Sequence, residues 1–351
     1  MRIRAALSVT ASLAVALTLG GCLSGESESR SAEPTADAAG ATTGTETEWS
    51  ADSLSIDFAT YNPLSLIIKE QGWLEAELEG VEVTWTQSAG SNKANEALRA
   101  GAIDVGSTAG SAALLARANQ SPIRTVSIYT QPEWAAIVVP ADSDITSVED
   151  LRGKSVAATK GTDPYFFLLQ TLEEHGVGLN EVEVQNVQHA DGRVALENGS
   201  VDAWSGLDPI MADTEVNAGS RLLYRNIDFN SYGFLNVREE YLEAHPDVIQ
   251  VVVDAYEKAR QWALDNPEET AQILADVAAI DLAIAEKVIL ERTVIDLDPV
   301  PGAAQRAVLE VVGPIFVESG DVSTQEQIDE AIEALFDPSF AEQADPSRIA
   351  D

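Results

Sequence analysis

Strict alternation of apolar and polar residues opens the folded part of the chain. Leu54, Ile56 and Phe58 alternate with Ser55 and Asp57, which predicts a strand. Tyr61-Asn62-Pro63 then turns the chain into a helix over 64–69 that ends at Gly72. Alternation returns at 81–85, and a loop at 87–91 leads into a helix reaching Arg99 and stopped by Gly101. Asp104 and Val105 start a strand that enters the small residues 106–110. A helix is predicted over 112–118, then strands over 123–129 and 135–139. Strands and helices in this succession imply an α/β fold with a largely parallel sheet.

The second half repeats the pattern. A short helix over 148–154 precedes the stretch VAATKGTDPYFFLLQTL at 156–172. That stretch reads as a strand, a tight loop turned by Gly161, and a helix. Thr162 and Asp163 are N-cap types, and Pro164 suits the first helical position. A helix opened this way points free N–H groups and the positive end of its dipole into the loop. That is a seat for a small anion; the same residues also fit an ordinary capped βα turn. A strand near 182–187, a helix over 191–197, a strand over 202–204 and a helix after Asp208-Pro209 follow. Segments 222–224 and 234–238 complete the set. From 246 to 336 the chain reads as amphipathic helices, with Trp262, Leu274, Ile289 and Phe316 at core spacing.

One motif occurs twice. Ala97-Leu98-x-x-Gly101-x-Ile103-Asp104 returns as Ala195-Leu196-x-x-Gly199-x-Val201-Asp202. In both, a helix ends at a glycine C-cap and a strand begins at once. Two lobes built alike would set these strand ends face to face across a cleft.

The length of 351 residues suits two lobes, and the formal net charge of −37 repels phosphate backbones, so no nucleic-acid partner is expected. Arg2 and Arg4 followed by the apolar run 5–19 read as a signal peptide over 1–21, and that run is short for a membrane span. Leu19-Gly20-Gly21-Cys22 resembles a lipobox and holds the one cysteine of the chain, which excludes an internal disulfide. Residues 22–50 read as an acylated Cys22 and a disordered tether rich in Ser, Glu, Thr, Ala and Gly.

The lipobox, the tether and the segments QGWL (71–74), ALRAGAIDVGST (97–108), VEDLRGKSVAATKGT (148–162) and LENGSVDAWSGLDP (196–209) resemble the solute-binding lipoproteins of ABC importers. Within these the chain is similar to the aliphatic sulfonate, taurine and nitrate group. The resemblance implies a two-lobed periplasmic-binding-protein (type II) clamp with a helical C-terminal extension on lobe 1. Its expected parts are lobe 1 over 53–138, lobe 2 over 139–232, and a return strand with C-terminal helices over 233–351. It further implies a small-molecule solute, an ABC permease with its ATPase as partners, attachment to the outer face of the membrane through lipid on Cys22, a monomer, and no cofactor or metal.

Carried onto this chain, the resemblance places the anionic head at Gly161, Thr162 and Asp163, with Ser107, Thr108 and Ala109 on the facing rim. Trp204 and Asp208 form the other wall, Tyr61 and Asn62 lie at the end of the first strand, and Tyr129 and Asn230 are further candidates. One departure matters, since the family loop often carries small hydroxyl residues where Asp163 stands. An ionised Asp163 facing a sulfonate at about 4 Å would cost roughly 4 kcal/mol. Either Asp163 caps its helix and points away, or the solute is a zwitterion such as taurine or a neutral heterocycle. Asp208 could meet an ammonium group or cap the helix after it. Nitrate, bicarbonate, a pyrimidine and riboflavin remain alternative solutes. A biosynthetic enzyme is the alternative class, but His175, His189 and His245 have no sequence neighbour that forms a catalytic arrangement, and of these only His189 falls near the expected cleft.

Overall fold

The computed structural model describes residues 48–350. The expected signal peptide, the lipobox with Cys22 and most of the tether lie outside the described residues. The tether was expected to run to residue 50. Instead Trp49 packs against the core, and the Ser50 N–H donates to Asp247 Oδ2 at 3.0 Å. An indole has enough apolar surface to hold the chain down this early.

The chain opens with β1 (Ser53–Phe58), α1 (Pro63–Gln71), α2 (Trp73–Glu77), β2 (Glu82–Gln87), α3 (Ser91–Ala100), β3 (Val105–Ala109), α4 (Gly110–Ala118) and β4 (Ile123–Pro132). Next come β5 (Ala135–Val139), β6 (Ser155–Ala158), α5 (Asp163–Glu174), β7 (Glu183–Asn186), α6 (His189–Glu197), β8 (Ala203–Leu207), α7 (Ile210–Asn217) and β9 (Arg221–Tyr224). After β10 (Gly233–Arg238) the chain is helical: α8 (Glu239–Ala244), α9 (Pro246–Asp265), α10 (Pro267–Ala278) and α11 (Leu282–Glu286). The short β11 (Thr293–Val294) precedes α12 (Ala303–Glu318), α13 (Gln325–Leu335) and α14 (Ser339–Glu342).

Two sheets result, with strand orders β2-β1-β3-β10-β4-β11 and β7-β6-β8-β5-β9. In each, the first three strands are parallel, while β10 and β5 run antiparallel to their neighbours. Each sheet with its helices is one lobe. Strands β3, β5 and β8 are buried along their whole length because helices cover both faces. Residues 135–138 were expected in the first lobe. They lie in the second sheet, where β5 pairs with β8 and β9. The crossing falls at Glu133 and Trp134, where the Glu133 N–H donates to the Arg292 carbonyl at 2.7 Å.

The repeated sequence motif has a repeated structural role. Gly101 and Gly199 take left-handed φ values of 67° and 74°, which glycine adopts without steric penalty. Asp104 Oδ2 accepts the Ser55 N–H of β1 at 2.9 Å. Asp202 Oδ2 accepts the Ser155 N–H of β6 at 2.8 Å. In both lobes an aspartate thus pins the start of the strand beside it.

The helical tail belongs to the first lobe and also touches the second. Helix α9 packs on α1 through a buried stripe that includes Val248, Val252 and Tyr256. Phe316 of α12 meets Phe166 of α5 at 4.4 Å between ring centres. Arg292 is 4 % exposed and pairs with Asp208 of the second lobe at 3.1 Å, and also with Glu215 of α7.

Candidate binding cleft

Six helices begin where strands end. α1, α3 and α4 follow β1, β2 and β3, and α5, α6 and α7 follow β6, β7 and β8. Helix N-termini therefore gather at one edge of each sheet, the usual ligand position in open α/β sheets. Three of the six starts are closed by side chains. Asn62 Oδ1 accepts the Ser65 N–H of α1 at 3.2 Å. Asp208 Oδ1 accepts the Ala212 N–H of α7 at 2.9 Å, and Ser231 Oγ accepts the Ser111 N–H of α4 at 2.9 Å. The starts of α3, α5 and α6 carry no side-chain cap.

Those three uncapped starts share one cavity. Ser91 of α3, Thr162, Asp163 and Pro164 at α5, and His189 of α6 line it, and Tyr61, Ala109, Trp134 and Leu207 close it. The room inside is about 10 Å³, space for about one water. A second cavity of about 10 Å³ shares Tyr61 and Trp134 and reaches Asp208 and Arg292. The lobes are shut on each other. A larger hollow of about 680 Å³ lies at the other end of α5, against α12, and touches none of these helix starts.

Asp163 sits at the centre of the closed form. It is the first residue of α5, with Thr162 in the N-cap position. Its Oδ1 accepts from Ser111 Oγ at 2.5 Å and Ser231 Oγ at 2.6 Å. Its Oδ2 accepts from Trp134 Nε1 at 2.7 Å and the Ser231 N–H at 2.8 Å. Burial pushes the carboxyl up to about 6 against the pull of these donors. The side chain neither caps its own helix nor stands free in the cleft. It reaches from the second lobe to α4 of the first lobe and to both crossings.

The remaining sequence candidates fall into separate groups. The Tyr61 hydroxyl donates to the Ser107 carbonyl at 3.0 Å, and its ring stands edge-on to Trp134 at 5.9 Å. Asn62 Nδ2 donates to the Tyr256 hydroxyl at 3.0 Å. The Ser107 N–H and hydroxyl both donate to Asp57 Oδ1, at 2.8 and 3.0 Å. Burial raises the Asp57 carboxyl to about 7. Thr108 Oγ1 accepts from Asn236 Nδ2 at 2.8 Å, and the Ala109 N–H donates to Ser91 Oγ at 2.9 Å. Tyr129 is fully buried against Gly233, with its hydroxyl donating to the Thr108 carbonyl at 3.4 Å. Gly161 makes the turn with φ of 77°, and Thr162 Oγ1 donates to the Thr159 carbonyl at 2.6 Å.

Three candidates have other work. Trp204, expected as an aromatic wall, is fully buried in the core of the second lobe with Val138, Leu196 and Met211. Its ring faces Gly192 of α6, so close that a Cβ there would lie 2.6 Å from Nε1. Trp134 is the indole that lines the cleft. Asp208 is committed to Arg292 and to the start of α7; burial raises its carboxyl to about 6 while Arg292 pulls it down. Asn230 ties the two crossings together, with Oδ1 accepting the Ala135 N–H at 2.8 Å and Nδ2 donating to the Asn226 carbonyl at 2.9 Å. Ser91, Trp134, Pro164 and Leu207 were not anticipated. Ser91 stood in the loop before α3, and that helix start is the signal that could have found it.

Two sheets of matching strand order, two crossings between them and facing helix starts define a two-lobed periplasmic-binding-protein clamp of type II. Residues 65–270 match the family described as NMT1/THI5 like, and the chain belongs to that family. A protein of Bacillus subtilis (strain 168) named as an aliphatic sulfonates-binding protein is 30 % identical over 229 residues, 64 % of this chain and 69 % of the relative. A protein of Escherichia coli (strain K12) with the same name is 26 % identical over 78 % of this chain and 86 % of its own. The alkanesulfonate-binding protein SsuA of Xanthomonas axonopodis pv. citri, solved with MOPS, superposes with a TM-score of 0.73 at 23 % identity, covering 80 % of this chain and 97 % of its own. That likeness establishes the fold.

Proposed function

We propose that the protein is the extracytoplasmic solute-binding component of an ABC importer. It captures a small sulfonate-type or zwitterionic solute between its lobes and passes it to a permease. One observation carries this reading: the three helix starts without side-chain caps all open on one interlobe cavity. Each carries about half a positive charge at a start that no side chain caps. Ser91 adds a hydroxyl proton, because its oxygen already accepts the Ala109 N–H. Tyr61 and Trp134 supply an apolar wall for a short carbon chain. The names of the relatives support the sulfonate class. Four donors hold the Asp163 carboxylate and offset part of its repulsion of an anion.

The relatives are named as binding proteins, which supports a reading of binding over turnover. Among the described residues, the hydrogen-bond contact of His189 is with Thr159 and no carboxylate bonds its ring. Capture then works by closure, driven by contacts that exist only when both lobes hold the solute. The lipid on Cys22 holds the monomeric clamp at the outer face of the membrane beside its permease.

A thermal-shift panel tests the reading, using ethanesulfonate, taurine, sulfate, nitrate, bicarbonate, riboflavin and a pyrimidine. A solute at a hundred times its Kd adds about 2.7 kcal/mol of stability. Stabilisation by at least one sulfonate is expected. A shift with nitrate or a heterocycle and none with any sulfonate overturns the sulfonate assignment.

A further inference from the structure

His189 is the first residue of α6, is 1 % exposed, and lines the interlobe cavity. Its Nδ1 lies 3.2 Å from Thr159 Oγ1. The single hydroxyl proton of Thr159 is already given to the Val187 carbonyl at 2.7 Å. Thr159 can therefore only accept from the ring, so the ring carries its proton on Nδ1 and a lone pair on Nε2. Burial lowers the imidazole pKa to about 3, which keeps the ring neutral. Among the described residues, Nε2 is a buried acceptor with no hydrogen-bond partner.

A second acceptor stands beside it on the opposite lobe. Asn92 Oδ1, at the start of α3, is likewise buried and unpartnered. Both atoms converge on Gly90: a Cβ at that residue would lie 2.9 Å from His189 Nε2 and 3.0 Å from Asn92 Oδ1. The cleft region thus offers acceptors as well as donors: the helix starts and the Ser91 hydroxyl donate, whereas His189 Nε2 and Asn92 Oδ1, at the starts of α6 and α3, accept. A solute that matches both carries oxygens and also an N–H or O–H group.

We propose that His189 is the specificity residue of the cleft. Its Nε2, with Asn92 Oδ1 beside it, accepts a hydrogen bond from an amino or hydroxyl group on the solute. The site thereby selects substituted sulfonates over plain alkanesulfonates. This rests on the solute-binding reading above and narrows it to one chemical class. A site built around a buried acceptor rejects the analogue that lacks the donor, because the acceptor then stays unpaired.

Two measurements test it. In the ligand-free protein, nitrogen-15 NMR of the histidine rings should show Nε2 of His189 unprotonated and Nδ1 protonated at neutral pH. The reverse tautomer, or a charged ring, overturns the proposal without any ligand. Calorimetry then compares ethanesulfonate, 2-aminoethanesulfonate and 2-hydroxyethanesulfonate on the wild type, His189→Leu and His189→Gln. The wild type should prefer a donor-bearing sulfonate by tenfold or more. His189→Leu should lose that preference, its affinities for the three sulfonates falling within about threefold of one another. His189→Gln, whose amide oxygen can accept, should recover part of the preference and guards against a folding defect in the Leu variant. Equal binding of all three by the wild type, or a preference that survives in His189→Leu, overturns the proposal and leaves the solute-binding reading intact. Binding of none of the three overturns the sulfonate assignment itself.

Discussion

Trp204 and Trp134 have the same side chain and opposite surroundings. Trp204 sits on β8 with apolar neighbours and packs closely against Gly192. Trp134 sits in a crossing, gives its N–H to Asp163 and shows its ring to Tyr61. The consequence is separable by mutation. Trp204→Ala opens a cavity in the second lobe, and large-to-small changes of this kind cost about 3–5 kcal/mol. The urea midpoint should drop by the corresponding amount with the slope unchanged, while the folded fraction binds solute with wild-type affinity. Lost affinity with unchanged stability would return Trp204 to the cleft. The sequence reading erred here because β8 is buried on both faces, so its hydrophobic run does not say which residue faces the cleft and which faces the core. Trp134 was overlooked because a crossing has no periodicity to read. Asp163 was legible as a departure from the family loop, but its partners Ser111 and Ser231 lie 52 and 68 residues away. No local pattern could supply them.

At the scale of elements, local signals carried most of the fold. Glycine C-caps, the Asp104 and Asp202 strand starts and the alternation at 54–58 and 81–85 all act within a few residues, and each placed its element correctly. The sheet to which β5 belongs was a non-local question, and its alternating residues did not answer it. The meeting of α3 with α6 is also non-local. Here the start of one helix faces the start of another across the lobe boundary, with Gly90 against the His189 ring. A methyl group on Gly90 would come within 2.9 Å of Nε2, closer than a real Cβ approaches, so something must move. The contact joins the two lobes, and the expected movement is their separation at this helix-to-helix contact. Gly90→Ala should therefore keep its ligand-free melting temperature within a few degrees and lose at least tenfold in solute affinity. Small-angle scattering should show a larger radius of gyration for the variant. A variant that melts far earlier, or that binds as tightly as wild type, would mean that the contact yields inside one lobe.

At the scale of the whole molecule, closure decides function, and Asp163 couples closure to protons. In the shut clamp its carboxyl is sealed among Ser111 of the first lobe and Ser231 and Trp134 of the crossings, and burial holds its pKa at about 6. Opening withdraws Ser111 and admits water, which returns the carboxyl toward the ordinary value of about 3.9. A carboxyl whose pKa is higher in the closed state takes up a proton as the clamp shuts. Closure is then least favourable above pH 6, where a buried charge is carried in full. It improves as pH falls through about 6 and levels off below about 4. Two units of difference correspond to about 3 kcal/mol, roughly a hundredfold in the closing equilibrium. The groups bonded to Asp163 are hydroxyls, an indole and a backbone N–H, none of which titrates in this window. His189, lowered to about 3, stays neutral throughout. Asp57 titrates near pH 7, but its bonds to Ser107 are made within the first lobe and persist on opening. Asp208 also titrates near 6 and faces Arg292 across the lobes, so it contributes a share that a variant at residue 163 leaves in place. The ligand-free wild type should accordingly be more compact at pH 4.5 than at pH 7.5 by small-angle scattering. Asp163→Asn, which keeps the shape of the neutral acid, should be compact at both pH values apart from the Asp208 share. A radius that grows on acidification, or a pH response identical in wild type and Asp163→Asn, would remove Asp163 from control of closure.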